Sequence, residues 1–195
     1  MGIIMPRIIK ETSKGIQNYE IVDEMLQYRE IECVGEINME TVYSLIQQLR
    51  YLQRVSPDKE ITLFINSPGG EVSSGLALYD VMQAVKCPIR TVCVGMAASM
   101  GAVLFAAGDK REMLPHARIM IHDPLISGGL AVSALSIQSR SLDLMKTRET
   151  TAKILAKHTG KTLKEVNKAT SFDNYMNAEE SVAFGLCDKV VSEIF

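Results

Sequence analysis

Apolar runs and amphipathic runs alternate along the first two thirds of the chain. The apolar run 61–65 precedes a segment from about 73 to 85 in which apolar residues recur at helical spacing. A second run, 91–94, precedes a stretch of small and apolar residues from about 99 to 107. Strands that alternate with helices are typical of α/β proteins. The pattern therefore predicts an α/β fold with two strand–turn–helix connections.

Turn-forming residues predict where these elements end. The first strand is expected to stop at 66–70, Asn-Ser-Pro-Gly-Gly, and the second at Gly95. Gly108 is predicted to end the small-residue helix in the left-handed conformation. Two residue pairs have the spacing of a capping box and predict short helices: Thr162 with Glu165, and Asn177 with Glu180.

A longer helical pattern runs from about residue 132 to 157 and ends at the sequence His-Thr-Gly. Five apolar residues recur in it at roughly helical spacing, which is more than a surface helix needs in order to pack on one core: Leu135, Leu142, Met145, Ala152 and Leu155. A helix of about 26 residues is about 39 Å long. It is therefore predicted to project from the domain and to pack against another subunit.

Length and charge narrow the class of protein. A chain of 195 residues predicts one domain, and 21 Lys and Arg against 23 Asp and Glu give no strong field that would indicate nucleic acid or an acidic membrane. The apolar stretch 91–105 is interrupted by glycine and is too short to span a bilayer. The first residues lack the pattern of a secretory signal, so a cytoplasmic protein is expected.

Four cysteines, Cys33, Cys87, Cys93 and Cys187, form no C-x-x-C pair, and each lies beside apolar residues. Buried reduced thiols are the expected account, with a catalytic cysteine as the weaker alternative. The segment 69–75 lacks the lysine of a phosphate-binding loop, and no cofactor or metal is expected.

Ser99 lies between a predicted strand and a predicted helix. The free N–H groups of a first helical turn can support both a nucleophilic hydroxyl and an oxyanion hole, for which Gly70 N–H and Met100 N–H are candidates. The sequence around Ser99 is not the G-x-S-x-G motif of α/β-hydrolases. A simple N-cap role for Ser99 remains the alternative.

Three histidines are candidates for the base that such a serine needs. His158 lies at a predicted helix C-terminus, where the helix dipole explains it, and His116 lies in a predicted exposed turn. His122 follows an apolar run and so lies at a predicted strand end, where side chains typically reach a site in α/β folds. A structural role for this histidine is the alternative. Asp173, Asp188 and Asp123 all remain open as the acid that orients the base.

Three motifs in order resemble the proteolytic subunit of the bacterial and organellar Clp protease, the ClpP family: 65–70 (INSPGG), 95–102 (GMAASMGA) and 120–125 (MIHDPL). The resemblance extends over essentially the whole chain. It implies that Ser99 is the nucleophile, His122 the base and Asp173 the acid. It also implies oxyanion donors at Gly70 and Met100, and substrate-binding positions at Gly69, Pro124 and Leu125.

The same resemblance implies a crotonase-like fold and an assembly. Within a single peptidase domain, residues 1–20 would be an axial segment, 21–125 and 159–195 a head of repeated β-β-α units, and 126–158 a handle. Two stacked seven-membered rings would enclose a chamber that receives unfolded polypeptide from an AAA+ unfoldase of the ClpX, ClpC or ClpA type. A second ClpP paralogue is a further candidate partner.

Several positions depart from the family pattern. Ser171 and Phe172 stand where the family commonly has an acid and an arginine that form ring-to-ring contacts, which raises the alternative of a weakly active or regulatory paralogue. Asp123 replaces the usual glutamine after the base and is expected to add a negative charge beside His122. The loop 125–130 is about two residues longer than usual, and Thr62 with Phe64 alters the expected unfoldase-docking surface. A crotonase-type acyl-CoA enzyme is the remaining alternative.

Overall fold

A seven-stranded, mainly parallel sheet is the centre of the protein in this computed structural model, which describes residues 6–13, 15–126 and 133–194. The strands are β1 (Arg7–Thr12), β2 (Gly15–Glu20), β3 (Glu30–Ile37), β4 (Ile61–Gly70), β5 (Ile89–Ala98), β6 (Lys110–Met113), β7 (Arg118–Ile121), β8 (Asn174–Met176) and β9 (Lys189–Val190). The helices are α1 (Ile21–Gln27), α2 (Met39–Val55), α3 (Val72–Ala84), α4 (Met100–Ala106), α5 (Ala134–Thr159), α6 (Leu163–Ala169) and α7 (Ala178–Phe184).

The order of strands in the main sheet is β3-β4-β5-β6-β9, with β7 paired to β5 and β8 paired to β7. All pairs are parallel except β7 with β8. Strands β1 and β2 form a separate antiparallel hairpin. Parallel strands that are covered by helices are rich in buried branched residues, and Ile61, Leu63 and Ile65 of β4 are fully buried. The predicted α/β class is confirmed.

The strand ends differ from the prediction. β4 continues to Gly70 and β5 to Ala98, so the expected stops at 66–70 and at Gly95 are wrong. The reason is that a register shift between Ile65 and Ser67 uses these residues inside the sheet. Asn66 Oδ1 accepts a hydrogen bond from Met96 N at 3.1 Å, and a Cβ on Gly95 would lie 2.7 Å from that oxygen. The glycine allows a close approach within the strand and does not end it.

The end of α4 also differs. The capping residue is Ala107, which has ordinary helical angles, and Gly108 is not among the glycines with positive φ. The prediction of a left-handed cap at Gly108 is therefore wrong. A Cβ at position 108 would lie 2.5 Å from Thr91 Oγ1. Glycine is needed here because β5 passes close to the backbone, which the local sequence does not reveal.

Helix α5 has the predicted extent, with Ser133 as N-cap and Gly160 in the left-handed conformation at its end. Its second half packs in the domain through the buried Ala152 and Leu155. Its first half instead carries four exposed apolar side chains: Leu135, Ile137, Leu142 and Met145. Both predicted capping boxes are present, at the starts of α6 and α7.

His158, in the last turn of α5, does not have the role that the sequence predicts. Its Nε2 lies 3.1 Å from the Tyr79 hydroxyl, and burial, with the nearby charges of Lys157 and Arg111, lowers its pKa below the ordinary value of 6.5. The protein therefore favours the neutral ring. A favourable interaction between a charged imidazole and the helix dipole is not what holds it there.

The lowered pKa of His158 predicts a pH dependence of stability. The unfolded chain takes up the proton near pH 6.5, before the folded chain does, so the contribution of neutral His158 is complete above that pH. It is lost as the pH falls from there through the folded pKa. In urea unfolding measured between about pH 7 and pH 5, His158→Gln is expected to give a smaller loss of stability than the wild type. An equal loss in both would contradict the assignment, and His116→Gln, at an exposed histidine, is the control.

Candidate active site

Ser99 occupies a strained position between β5 and α4. Its φ of 54° and ψ of −121° make it one of two non-glycine residues with positive φ in the described part of the chain. Strain of this kind is common at functional sites. Its carbonyl accepts from Ala102 N and Val103 N, whereas its side chain makes no capping hydrogen bond. The alternative of a simple N-cap therefore loses support.

His122 is within hydrogen-bond distance of this serine, since its Nε2 lies 2.8 Å from Ser99 Oγ. The sheet explains the approach. β7, which ends one residue before His122, runs parallel to β5, and Ser99 N donates to Met120 O at 2.8 Å. Two neighbouring parallel strands thus deliver both side chains to the same edge of the sheet. A distance of about 2.6–3.2 Å is what proton transfer from a hydroxyl to an imidazole requires.

The structure separates the three candidate acids. Asp173 Oδ1 lies 3.4 Å from His122 Nδ1, because β8 pairs antiparallel to β7 with Ile121 opposite Asn174. Asp188 instead pairs with Arg111, whose hydrogen bonds hold the pKa of that carboxyl below its usual range despite partial burial. Asp123 Oδ2 accepts from Arg148 Nε at 2.7 Å.

Asp173 is largely exposed. The exposed fraction of its side chain is 61%, and that of the neighbouring Phe172 is 84%. Phe172 therefore does not shield Asp173 from solvent in the single chain. The 3.4 Å separation is also longer than a normal hydrogen bond. The Ser99–His122 contact is therefore tight and the His122–Asp173 contact loose.

The glycines of β4 allow the backbone to approach Ser99. A Cβ at Gly69, where φ is +95°, would lie 2.6 Å from Ser99 Cβ and 3.2 Å from Met100 N. Gly70, with φ of +151°, is pressed instead against β3, where a Cβ would lie 2.1 Å from Ile37 O. Met100 is the first residue of α4, and the first N–H groups of a helix have no intrahelical acceptor. The two predicted oxyanion donors are thus on the elements that flank Ser99.

A cleft opens beside Ser99 and His122. Its walls are largely apolar and come from α3, α4, β7, α5 and the segment after His122: Val72, Val103, Ile121, Pro124, Thr151 and Leu155. Pro124 also borders a second groove, which Leu125 and Ile126 share with α5 residues such as Asp143 and Leu144. The structure therefore places the predicted substrate-binding residues Pro124 and Leu125 at the edge of the site. The predicted extension of loop 125–130 lies mostly outside the described residues.

The cysteines fit the expectation of buried thiols. All four are buried and none forms a disulfide. Burial raises the pKa of Cys33 to about 11 and that of Cys93 to about 12, which disfavours the thiolate that a catalytic cysteine needs. Within the described ranges, no group of three His, Cys, Asp or Glu side chains could hold a metal ion, and no helix is long and apolar enough to cross a membrane.

Two residues next to the site had no sequence signal. Arg148 and Thr170 both bond to the Asp123 carboxylate, and they lie 25 and 47 positions from it along the chain. Sequence separations of this size carry no periodicity that could reveal a contact. The negative charge that the sequence places beside His122 is paired with an arginine, because the Asp123 carboxylate is directed to Arg148 and Thr170.

Comparison with known protein families gives a match over nearly the whole chain. The family model described as Clp protease matches residues 13–194. The matched range includes Ser99, His122 and Asp173, so the arrangement described above lies entirely within it.

Proposed function

This chain belongs to the Clp protease family, a family of serine peptidases, and on that premise we propose that Ser99, His122 and Asp173 are its catalytic residues. The observation that carries the proposal is the 2.8 Å contact between His122 Nε2 and the hydroxyl of the strained Ser99. A serine at its ordinary pKa needs such a base to become a nucleophile.

The geometry supports acyl transfer through a covalent intermediate. Ser99 Oγ attacks the peptide carbonyl carbon while His122 Nε2 takes the hydroxyl proton. The carbonyl oxygen becomes an oxyanion, for which Gly70 N–H and Met100 N–H are the proposed donors, each worth about 3 kcal/mol in the transition state. His122 then gives the proton to the leaving amine as the C–N bond breaks.

Hydrolysis of the acyl-enzyme completes the reaction. A water molecule gives a proton to His122 and attacks the ester, and the proton returns to Ser99 as the acid product leaves. Asp173 faces Nδ1 and so favours the tautomer in which Nε2 accepts a proton. This role needs no metal or cofactor.

The proposed assembly follows from the exposed apolar side chains in the first half of α5. Large exposed apolar residues in one helix indicate a surface that is covered by another protein. We assign α5 to the handle that joins two stacked seven-membered rings, on a crotonase-like head (21–125 and 159–195) with the β1–β2 hairpin in the axial segment (1–20). The proposed partners are an AAA+ unfoldase of the ClpX, ClpC or ClpA type and unfolded polypeptide, in the cytoplasm.

A second candidate is a subunit that depends on a paralogue for full activity. Two observations favour it: Ser171 and Phe172 cannot form an ion pair, and Asp173 is 61% exposed at 3.4 Å from His122 in the single chain. A partner ring could tighten this contact. The acyl-CoA alternative is weaker, since its carboxylate chemistry has no use for the Ser99–His122 contact.

The purified protein alone is expected to cleave short fluorogenic peptides and unstructured chains, and to leave folded proteins intact. The reason is that this chain has no nucleotide-binding motif with which to drive unfolding. Peptide hydrolysis and native mass should be measured on the same sample. A ring-sized assembly that does not cleave, until a paralogue is added, would favour the second candidate; degradation of a folded protein by the subunit alone would contradict the need for an unfoldase.

A further inference from the structure

One carboxylate beside the proposed site joins three elements of the fold. Asp123 directly follows His122, and its Oδ2 accepts a hydrogen bond from Arg148 Nε at 2.7 Å. Its Oδ1 accepts from Thr170 Oγ1 at 3.1 Å, and its backbone N–H donates to Thr170 O at 2.7 Å. We refer to Asp123, Arg148 and Thr170 as the carboxylate clamp.

The clamp lies on the opposite side of the His122–Asp173 pair from the β7–β8 ladder. That ladder ends with Ile121 opposite Asn174. The next connection between the two segments is the one between Asp123 and Thr170. His122 and Asp173 therefore lie between two tethers, one made by the strands and one made by the clamp. Their separation depends on both.

The contacts of the clamp are shorter than the contact they would control, at 2.7 and 3.1 Å against 3.4 Å. Thr170 is 3% exposed, and the side chains of Asp123 and Arg148 are 36% and 30% exposed. A charged hydrogen bond in such a setting is stronger than one between neutral groups. In the His122–Asp173 contact the histidine side chain is 14% exposed but the aspartate side chain is 61% exposed, and the 3.4 Å separation is longer than a normal hydrogen bond. This contact therefore does not by itself fix the orientation of the imidazole.

We propose that Asp123 and Arg148 are positioning residues for peptide hydrolysis, which tie the His122–Asp173 geometry to helix α5. The inference rests on the proposed function. Arg148 belongs to α5, the helix whose first half exposes apolar side chains, so movement of this helix on assembly would change the ion pair next to the base. The clamp thus connects α5 to the base within one chain. Ser171 and Phe172, at the positions of the family's ring-to-ring ion pair, cannot supply such a connection.

The test compares Asp123→Asn, Arg148→Gln and the double variant by kcat, KM and the rate at which a fluorophosphonate labels Ser99. Each single variant is expected to lower kcat and the labelling rate about tenfold with KM within about twofold, because geometry at the base is lost and substrate binding is not. The kcat and labelling rate of the double variant should be no lower than those of the less active single variant, since the two residues act as a unit. Lys153→Gln, which breaks the exposed Lys153–Glu149 pair of the same helix, should change neither quantity.

Native mass and thermal unfolding show whether each variant assembles. Arg148→Lys, which keeps the charge, should recover part of the kcat lost in Arg148→Gln, and it serves as the test if Asp123→Asn does not fold. An assembled variant with wild-type kcat and labelling rate, or strictly additive losses, overturns the clamp and leaves the proposed function standing. If the wild type shows no Ser99-dependent hydrolysis, the proposed function fails first and the clamp's role fails with it.

Discussion

Ser99→Ala is expected to lower kcat for hydrolysis of a short peptide by roughly 10⁵- to 10⁶-fold. Without Oγ no acyl-enzyme can form. The hydroxyl that lies 2.8 Å from His122 Nε2 is also lost, so the base has no serine proton to accept. A small rate above that of water should remain, because the proposed oxyanion donors at Gly70 and Met100 still polarise the carbonyl. The measurement is the initial rate of fluorogenic peptide hydrolysis at saturating substrate.

Two histidine variants provide the control for this experiment. His122→Ala should cost about as much as Ser99→Ala, and the double variant little more, because nucleophile and base work as a unit. His116→Ala should keep wild-type activity, since this histidine is exposed in a turn away from the site. Substantial hydrolysis by a Ser99→Ala protein of native mass would rule out Ser99 as the nucleophile.

Gly70→Ala is expected to destabilise the protein by about 3–5 kcal/mol, from overpacking together with backbone strain. The new Cβ would lie 2.1 Å from Ile37 O and 2.8 Å from Ile37 N. Both atoms belong to the backbone of β3, which is paired with β4 at this point, so they cannot move aside as a flexible side chain could. Chemical unfolding followed by circular dichroism measures the effect, and much of the variant should be insoluble when expressed.

Gly35→Ala is the matched control for this prediction. Gly35 lies in β3, the strand that pairs with β4, and like Gly70 it has a positive φ, of +81°. A Cβ there would meet nothing within 4 Å. Only the backbone conformation is then strained, at about 1–2 kcal/mol. If the two variants were equally stable, the close packing of β4 on β3 would not be what requires glycine at position 70. Stability is the informative quantity here, because position 70 is also a proposed oxyanion donor.

Features that depend on neighbours along the chain could be predicted from the sequence. The extent of α5, its end next to Gly160 and the capping boxes at Thr162 and Asn177 all agree with the structure. These follow from hydrogen bonds between residues three or four positions apart, so periodicity and capping residues are enough to predict them. Motif order was enough for the family as well, which the match over residues 13–194 confirms.

Contacts between residues that are distant along the chain could not be predicted in this way. Glycines at 95 and 108 looked like stops in the sequence, but they are there because Asn66 and Thr91 approach from other parts of the sheet. The residue pattern left three aspartates open as the acid. The β7–β8 pairing places Asp173 next to His122, whereas Asp123 pairs with Arg148 and Asp188 with Arg111. Strand pairing and ion pairs across tens of residues are set by packing of the whole chain, and a local pattern contains no information about them.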